Sequence, residues 1–164
     1  MSEPSHAQPT AHHLWLRGFV GRWEVESECS MGPDQPPLKG TGVEHVRMLG
    51  DLWLIGESTF DMPGAGSGAA LLTLGYDPLR QRFVGTWVGS MMTHLFIYEG
   101  ELDQATGTLP LNCVGPDFAD PTKTAPYLDV YRLTPAGERS LVAHMVGPDG
   151  KWVPFMTTRY RRID

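Results

Sequence analysis

Two histidines and a cysteine are the residues of this sequence best suited to chemistry, because all three fall at the ends of predicted β-strands. His94 follows a turn at Ser90, His144 precedes a turn at Pro148, and Cys29 ends the first strand. In an antiparallel sheet of consecutive strands, these positions reach similar heights at one end. A neutral imidazole there could bind haem iron or another transition metal. The spacing gives no further support for a metal, so we predict no cofactor and keep haem as the alternative to an ordinary histidine.

An apolar and aromatic segment around His94 predicts a binding pocket. If residues 92–101 form a strand, every second side chain points to the same face. The even-numbered side chains would then line an adaptable apolar pocket. The odd-numbered side chains are also largely apolar, so core packing on one face and a dimer contact on the other explain the pattern at least as well. The candidate ligand-binding residues are Trp53, Trp87, Met92, His94, Phe96, Tyr98 and His144.

The sequence evidence for a catalytic site is weaker than the evidence for this pocket. Ser90 can be drawn as a nucleophile with a histidine and an aspartate elsewhere, but a Gly-x-Ser-x-Gly elbow and an identifiable oxyanion hole are both missing from the sequence. His12, His13 and His45 have no neighbouring ligand set and are expected at the surface. We therefore predict no catalytic residue and no metal site.

The elements that would position these side chains are ten short strands. From Arg22 to Cys29, charged side chains alternate with apolar or small ones, as in a strand with one solvated face. Thr10 is a suitable cap for a short helix ahead of this strand. We predict a disordered tail over residues 1–9 and a single domain over residues 10–164. The predicted strands are 22–29, 40–47, 52–60, 69–76, 82–89, 92–101, 108–114, 127–133, 140–146 and 152–161.

The two ends of the chain carry matching features that predict a closed barrel. Gly21-Arg22-Trp23-Glu24 opens the first strand, and Tyr160-Arg161-Arg162 closes the last. An even number of consecutive antiparallel strands makes the first and last strands neighbours when the sheet closes. An arginine over the indole face gains cation–π attraction while its stem covers the ring. We therefore assign Trp23, Tyr160 and Arg162 to barrel closure.

Loop lengths identify one end of this all-β, up-and-down barrel as the mouth. Alternate connections of a meander lie at opposite ends. The connections beside the termini are short, whereas the other end holds the long segments 31–39, 62–68 and 115–125. The Gly-rich part of 62–68 lacks the Gly-Lys-Ser/Thr ending of a phosphate-binding loop and is expected to be a flexible mouth loop.

The composition of the chain limits the fold class and the binding partners that we expect. The 164 residues include 19 Gly and 14 Pro, and 41% are hydrophobic, which fits one domain of short strands and turns. The net charge of −6 comes without a basic stripe, so nucleic acid is not expected as a partner. The N-terminus lacks a signal-peptide core, and no segment has the length of a membrane span. Two distant cysteines predict no disulfide framework, and a cytoplasmic location is expected.

A spaced set of motifs resembles a known family. The motifs are His12-x-x-Trp15-Leu16, Val20-Gly21-Arg22-Trp23, Arg47-x-Leu49-Gly50, Gly75-Tyr76-Asp77-Pro78, Gly85-Thr86-Trp87, Tyr98-Glu99-Gly100 and Tyr160-x-Arg162. The element at residues 19–24 resembles the calycin superfamily, which includes lipocalins and fatty-acid-binding proteins. The full set, over residues 12–162, is similar to the family named domain of unknown function 1579. This resemblance implies a lipocalin-like barrel and brings no assigned activity, cofactor or catalytic residue.

Together these observations predict a non-catalytic protein that binds a small, largely apolar molecule in the barrel interior. Binding would come from burial of apolar ligand surface. Two alternatives stay open at this point. One is a haem-binding protein, or an enzyme that uses His94 or His144 as a general base. The other is a barrel filled by its own side chains, whose outer apolar faces form a homodimer.

Overall fold

The computed structural model describes residues 6–64 and 66–164. Of the predicted tail, residues 1–5 lie outside this range, and residues 6–9 have no regular secondary structure. A helix, α1 (Ala11–Leu16), continues into a 3₁₀ turn (Arg17–Phe19). The strands are β1 (Gly21–Cys29), β2 (Leu38–Leu49), β3 (Trp53–Met62), β4 (Gly66–Asp77), β5 (Arg82–Gly89), β6 (Phe96–Gly100), β7 (Thr108–Pro116), β8 (Thr124–Leu133), β9 (Arg139–Val146) and β10 (Trp152–Arg162).

The strands form one closed antiparallel barrel. Each strand pairs with its neighbours in sequence, and β1 closes the sheet by pairing with β10. The closing ladder runs from Trp23 opposite Arg162 to Cys29 opposite Met156. The prediction of a ten-stranded up-and-down barrel with a short N-terminal helix is therefore confirmed. Among the described residues, no helix is long and apolar enough to cross a membrane.

Alternation along the strands builds the interior. In β4, Leu72 and Leu74 point inward and are buried, whereas Leu71, the residue before Leu72, is exposed. This period of two places every second side chain of each strand inside the barrel. Most of the largest fully buried side chains lie in the half of the barrel nearest the helix, so that half is filled. These side chains are Trp23, Phe19, Phe83, Leu16, Leu54, Leu74, Leu109, Leu111 and Val46.

The helix and its 3₁₀ turn close the end of the barrel that holds both termini. Leu16 and Phe19 are fully buried there. The indole N–H of Trp23 donates to the carbonyl oxygen of Phe19 at 2.8 Å. Arg162 places its guanidinium carbon 4.2 Å from the centroid of the Trp23 ring and donates from Nη2 to the carbonyl oxygen of Gly18 at 2.9 Å. One side chain therefore ties the last strand to the first strand and to the turn.

The histidines of the helix are part of its cap. The backbone N–H of Thr10 donates to His13 Nδ1 at 2.9 Å, which completes a capping box. With Nδ1 accepting, Nε2 carries the proton and donates to the carbonyl oxygen of Tyr76 at 3.1 Å. His12 stacks on the Tyr76 ring at 3.9 Å. The prediction that His13 lies at the surface is wrong, because both of its nitrogens are satisfied within the fold and it is 3% exposed.

One connection at the mouth is shorter than the sequence predicts. β3 ends at Met62 and β4 begins at Gly66, so the strands are joined by three residues, of which residue 65 lies outside the described range. The predicted long loop over 62–68 is therefore wrong in length. Gly64 and Gly66 both have positive φ angles, 87° and 95°, which allow this tight turn.

The seam between β6 and β7 is the shortest ladder of the barrel wall. β6 begins at Phe96, later than predicted, and pairs with β7 only at Glu99 and Gly100. Beyond this ladder, His94 Nε2 lies 2.6 Å from the carbonyl oxygen of Val114. This side-chain hydrogen bond stands in place of strand pairing, and the chain just before Phe96 is a loop. The predicted strand start at residue 92 is corrected accordingly.

Candidate functional site

A cavity of about 230 Å³ lies inside the barrel, between its middle and the mouth. Three methionines surround its outer part: Met62 at the end of β3, Met91 after β5, and Met156 in β10. Methionine side chains are flexible and polarizable, so this rim can adapt to the shape of a bound molecule. The cavity therefore has an adaptable entrance.

The cavity wall combines apolar sides with a group of polar side chains. The largest apolar contributors are Phe60, Leu72, Trp87 and Leu141. On the wall formed by β1 and β10, Ser27 Oγ and Thr158 Oγ1 lie 2.8 Å apart and satisfy each other. The remaining polar lining residues are Thr41, Glu44, Ser58, Thr59, Tyr131 and Tyr160.

The floor of the cavity is built on a buried ion pair between β2 and β9. Glu44 lines the cavity and is 6% exposed, and its Oε1 lies 2.5 Å from Nη2 of Arg139. The side chain of Arg139 is fully buried and does not line the cavity itself. Gly56 on β3 leaves room for the carboxylate, because a Cβ there would lie 2.9 Å from Glu44 Oε2. The cavity therefore meets the carboxylate, with the guanidinium behind it.

Aromatic rings surround the Arg139 guanidinium. Its central carbon lies 3.8 Å from the ring centroid of Tyr160, 4.9 Å from that of Phe19 and 5.0 Å from that of Trp23. A desolvated guanidinium over several ring faces gains cation–π attraction of about 2 kcal/mol or more. The rings thus compensate part of the desolvation cost of the cation and hold it beneath Glu44.

This ion pair leaves hydrogen-bonding capacity unused. Although Nη2 is 2.5 Å from Glu44 Oε1, its N–H bonds are not aligned with that oxygen. Within the described residues, Oε1 and all three guanidinium nitrogens of Arg139 have no hydrogen-bond partner. The distance establishes the ion pair, and the burial of Oε1 leaves Oε2 as the carboxylate oxygen that can accept from another donor. Buried polar groups nearly always have a partner, so this one needs an explanation.

Two tyrosines flank Glu44 on the cavity floor. Burial raises the pKa of Tyr160, although the positive charge of Arg139 acts against it. Burial also raises the pKa of Tyr131, and the neighbouring Tyr160 adds to the effect. Both hydroxyls therefore stay protonated near neutral pH and can donate hydrogen bonds. The Tyr160 hydroxyl has no protein partner among the hydrogen bonds of the described residues.

A second polar cluster lies across the interior, on β6, β7 and β8. The Tyr98 hydroxyl donates to Asp129 Oδ2. Burial raises the pKa of Asp129, while the hydrogen bond from Tyr98 partly offsets this shift. Burial and the charge of Asp129 raise the pKa of the Cys113 thiol to about 12, so this cysteine is not a thiolate nucleophile near neutral pH. Cys113 and Cys29 are both free.

The structure brings some of the residues predicted for a pocket to the cavity and its wall. Trp87 lines the cavity. Phe96 packs edge-on against Trp87 at 5.7 Å and against His94 at 4.7 Å, so it supports the wall. Tyr98 is inside the barrel and is bound to Asp129. These residues share one side of the interior.

The other predicted pocket residues lie elsewhere. Trp53 is 41% exposed on the outer face near the closed end, where its ring covers Gly75. Met92 is exposed in the mouth loop. His144 points away from the interior, and its Nδ1 lies 3.1 Å from the carbonyl oxygen of Leu128 on the neighbouring strand.

The histidines do not provide an axial ligand for haem in this cavity. Neither His94 nor His144 lines it, and the Nε2 of His94 is already bonded to a backbone carbonyl. Among residues 6–64 and 66–164, no cluster of three or more His, Cys, Asp or Glu side chains has the arrangement of a metal site. The residues of the cavity therefore do not fit a haem or metal centre.

Larger concavities lie on the outer wall of the barrel. One of about 760 Å³ runs along β1, β2 and β10 and is lined by exposed charged residues such as Glu26, Glu28 and Arg159. Another of about 500 Å³ lies at the seam between β6 and β7 and includes Ile97 and Val114. They lie on the outer face of the wall, whereas the interior cavity lies inside the barrel and has a mainly apolar lining.

Comparison with known proteins agrees with this architecture. Residues 8–162 match the sequence profile of a family described as a protein of unknown function, DUF1579. The chain belongs to the DUF1579 family. The DUF1579 barrel is similar to the crystal structure of Rv2717c from M. tuberculosis, with a TM-score of 0.67, 12% identity, and coverage of 96% of this chain and 100% of that chain. At this identity the similarity shows the calycin-like fold alone. No curated protein matches the sequence.

The most polar part of the site in this DUF1579 protein is the part that sequence reasoning missed. Glu44 occupies the same strand face as the buried Val46, so the period of two already marks it as an inward carboxylate. Asp129 is marked in the same way by the buried Tyr131. Arg139 lies one residue before the predicted start of its strand, so the alternation of that strand did not predict that Arg139 points inward.

Proposed function

We propose that this DUF1579 protein is a non-catalytic binding protein that holds a small, largely apolar molecule in the barrel interior. The observation that supports this proposal is the interior cavity of about 230 Å³, with mainly apolar walls and a rim of methionines. Ligand sites are typically concave and apolar, with a few polar groups that fix orientation. This cavity has both properties, and catalytic machinery is not needed to explain it.

The cavity volume limits the ligand. An apolar cavity of about 150 Å³ in another protein binds benzene. A volume of about 230 Å³ suits a substituted single ring or a compact molecule of similar size. If such a ligand buries about 300 Å² of apolar surface, the transfer contributes about 7.5 kcal/mol before association costs are subtracted. Association costs of about 4 kcal/mol leave about 3.5 kcal/mol, so we expect dissociation constants in the millimolar range.

A pair of substitutions on one strand tests the location of binding. Ala70 lines the cavity, whereas Ala69 is exposed on the outer face of the same strand. Ala70→Leu should fill part of the cavity and abolish binding of 4-ethylphenol, measured by ligand-observed NMR. Ala69→Leu is the matched control and should bind like the wild type. Equal binding by both variants would place the ligand outside the cavity, and the thermal melts of both would verify folding.

A second candidate function is self-association through the outer wall near the β6–β7 seam. Leu95, Ile97 and Val114 are all about half exposed or more and lie beside the groove at this seam. Exposed apolar patches of this kind are typical of interaction sites. Sedimentation equilibrium should then give twice the chain mass for the wild type and the single chain mass for Ile97→Lys. A monomeric wild type at high concentration would exclude this candidate.

A further inference from the structure

The geometry points to a ligand with an uncharged head group, a hydroxyl or primary amide, seated on the cavity floor beside Glu44 and Tyr160. This inference rests on the proposed function and adds the chemical class of the ligand. Its basis is the pattern of charges and free hydrogen-bonding groups at the floor, which is independent of the apolar walls above.

The charges at the floor already balance. The carboxylate of Glu44 is paired with the guanidinium of Arg139 at 2.5 Å, so the pair has no net charge to offer a ligand. An anionic head group would face the carboxylate first, because Arg139 lies behind it and does not line the cavity. A cationic head group would lose its hydration to reach a carboxylate that is already paired. Burying an uncompensated charge costs several kcal/mol, so both kinds of ion are disfavoured.

The cavity floor offers one hydrogen-bond acceptor, the Glu44 carboxylate, and one donor, the Tyr160 hydroxyl. An ionised carboxylate only accepts hydrogen bonds. Oε1 of Glu44 is buried against Arg139, so Oε2 is the carboxylate oxygen that faces the cavity and can accept from a ligand. The Tyr160 hydroxyl beside it can donate. A ligand hydroxyl or amide both donates and accepts, so it would satisfy Glu44 and Tyr160 together. The polar pair on the side wall, Ser27 and Thr158, is already satisfied internally.

The walls orient the rest of the molecule toward the mouth. Leu72 and Leu141 form part of the apolar wall, and Met91 and Met156 lie at the rim. A molecule with one polar end and one apolar end would therefore bind with its polar end down. The ion pair, which costs free energy to bury, would then serve to select the head group.

Three probes of similar shape test the head-group preference: 4-ethylphenol, 4-ethyltoluene and 4-ethylbenzoate. At neutral pH a phenol is uncharged, because its pKa is about 10, whereas the benzoate is ionised. We expect wild-type protein to bind 4-ethylphenol at least tenfold more tightly than 4-ethyltoluene, equivalent to about 1.4 kcal/mol. The benzoate should bind more weakly than either. Competition NMR gives all three affinities under one condition.

Tyr160→Phe tests the floor directly. It removes one hydroxyl and should weaken 4-ethylphenol binding about fivefold to tenfold, the range of one hydrogen bond, while leaving 4-ethyltoluene binding unchanged. Tyr76→Phe is the matched control, because Tyr76 lies at the closed end against His12 and does not line the cavity. It should leave both affinities unchanged. Tyr160→Phe avoids the risk of misfolding that comes with removing Glu44 and leaving Arg139 unpaired.

The outcomes separate this inference from the proposed function. If 4-ethyltoluene binds as tightly as 4-ethylphenol, or if Tyr160→Phe affects both equally, the cavity binds ligands and the head-group inference is overturned. Tightest binding of 4-ethylbenzoate also overturns it. If wild-type protein binds none of the three probes, the proposed function fails, and the head-group inference fails with it.

Discussion

Removing the cation beneath the cavity should strongly destabilise this protein, because it leaves a buried carboxylate without its partner. Arg139→Met keeps the length of the apolar stem and deletes the guanidinium. The Glu44 side chain, 7% exposed, would then carry an unpaired charge in the interior. Breaking a buried pair in this way costs about 3–5 kcal/mol. The lost contacts with the rings of Phe19, Trp23 and Tyr160 add to that cost.

The expected loss is about 4 kcal/mol or more, a large share of the roughly 5–15 kcal/mol that stabilises a typical domain. Urea denaturation, followed by tryptophan fluorescence, measures it through the shift in midpoint at constant m-value. Arg132→Met on the exposed face of β8 is the matched control and should lie within about 0.5 kcal/mol of wild type.

A double variant separates the charge effect from the packing effect. Glu44→Leu with Arg139→Met removes both charges, so no uncompensated ion is left. It should recover most of the loss and lie within about 2 kcal/mol of wild type, in either direction. If Arg139→Met alone lay within about 1 kcal/mol of wild type, or if the double variant were as unstable as the single one, the account of the ion pair would be refuted.

Three further results are expected. Gly115→Ala should destabilise the fold by about 1–3 kcal/mol, because a Cβ there would lie 2.4 Å from Cε1 of Phe96; an unchanged urea midpoint would contradict this. His94→Ala should lower the free energy of unfolding by about 1 kcal/mol, because it removes the hydrogen bond to Val114. It should also speed hydrogen exchange of the β6 amides. Unchanged exchange would show that the β6–β7 seam does not depend on this hydrogen bond. Burial raises the folded-state pKa of Asp129 above its unfolded value, so folding takes up a proton between these two values. The stability of wild type relative to Asp129→Asn should therefore rise as pH falls from about 7 to about 4, and a pH-independent difference in melting temperature would argue against this burial effect.

Much of the fold could be predicted from local patterns. The alternation of side chains in β1 follows from strand geometry and can be recognised in the sequence. The pairing of Trp23 with Arg162 follows from closing an even number of antiparallel strands, so it could also be predicted. The start of β6 could not be predicted in the same way. Residues 92–95 alternate like a strand, but their pairing depends on the edge of β7, where His94 bonds to Val114 instead.

The candidate site was less accessible to sequence reasoning than the fold. Residue type and position along the strand favoured His144 as a pocket residue. Leu141 points inward, and side chains alternate along a strand, so His144, three residues later, points outward. Glu44 carried an inward signal through its neighbours on β2. Its partner Arg139 is distant in sequence, and only the closed barrel brings the two together. Buried ion pairs of this kind depend on tertiary geometry, which a single sequence does not display.

The central claim is that the interior carries a ligand in the native protein. Native mass spectrometry of the wild-type protein, purified gently from its host together with an absorption spectrum, tests this claim most directly. We predict a small bound neutral mass without a Soret band, and loss of that mass in Ala70→Leu but not in Ala69→Leu. A protein that is empty in every preparation, or a bound mass that survives Ala70→Leu, would contradict it.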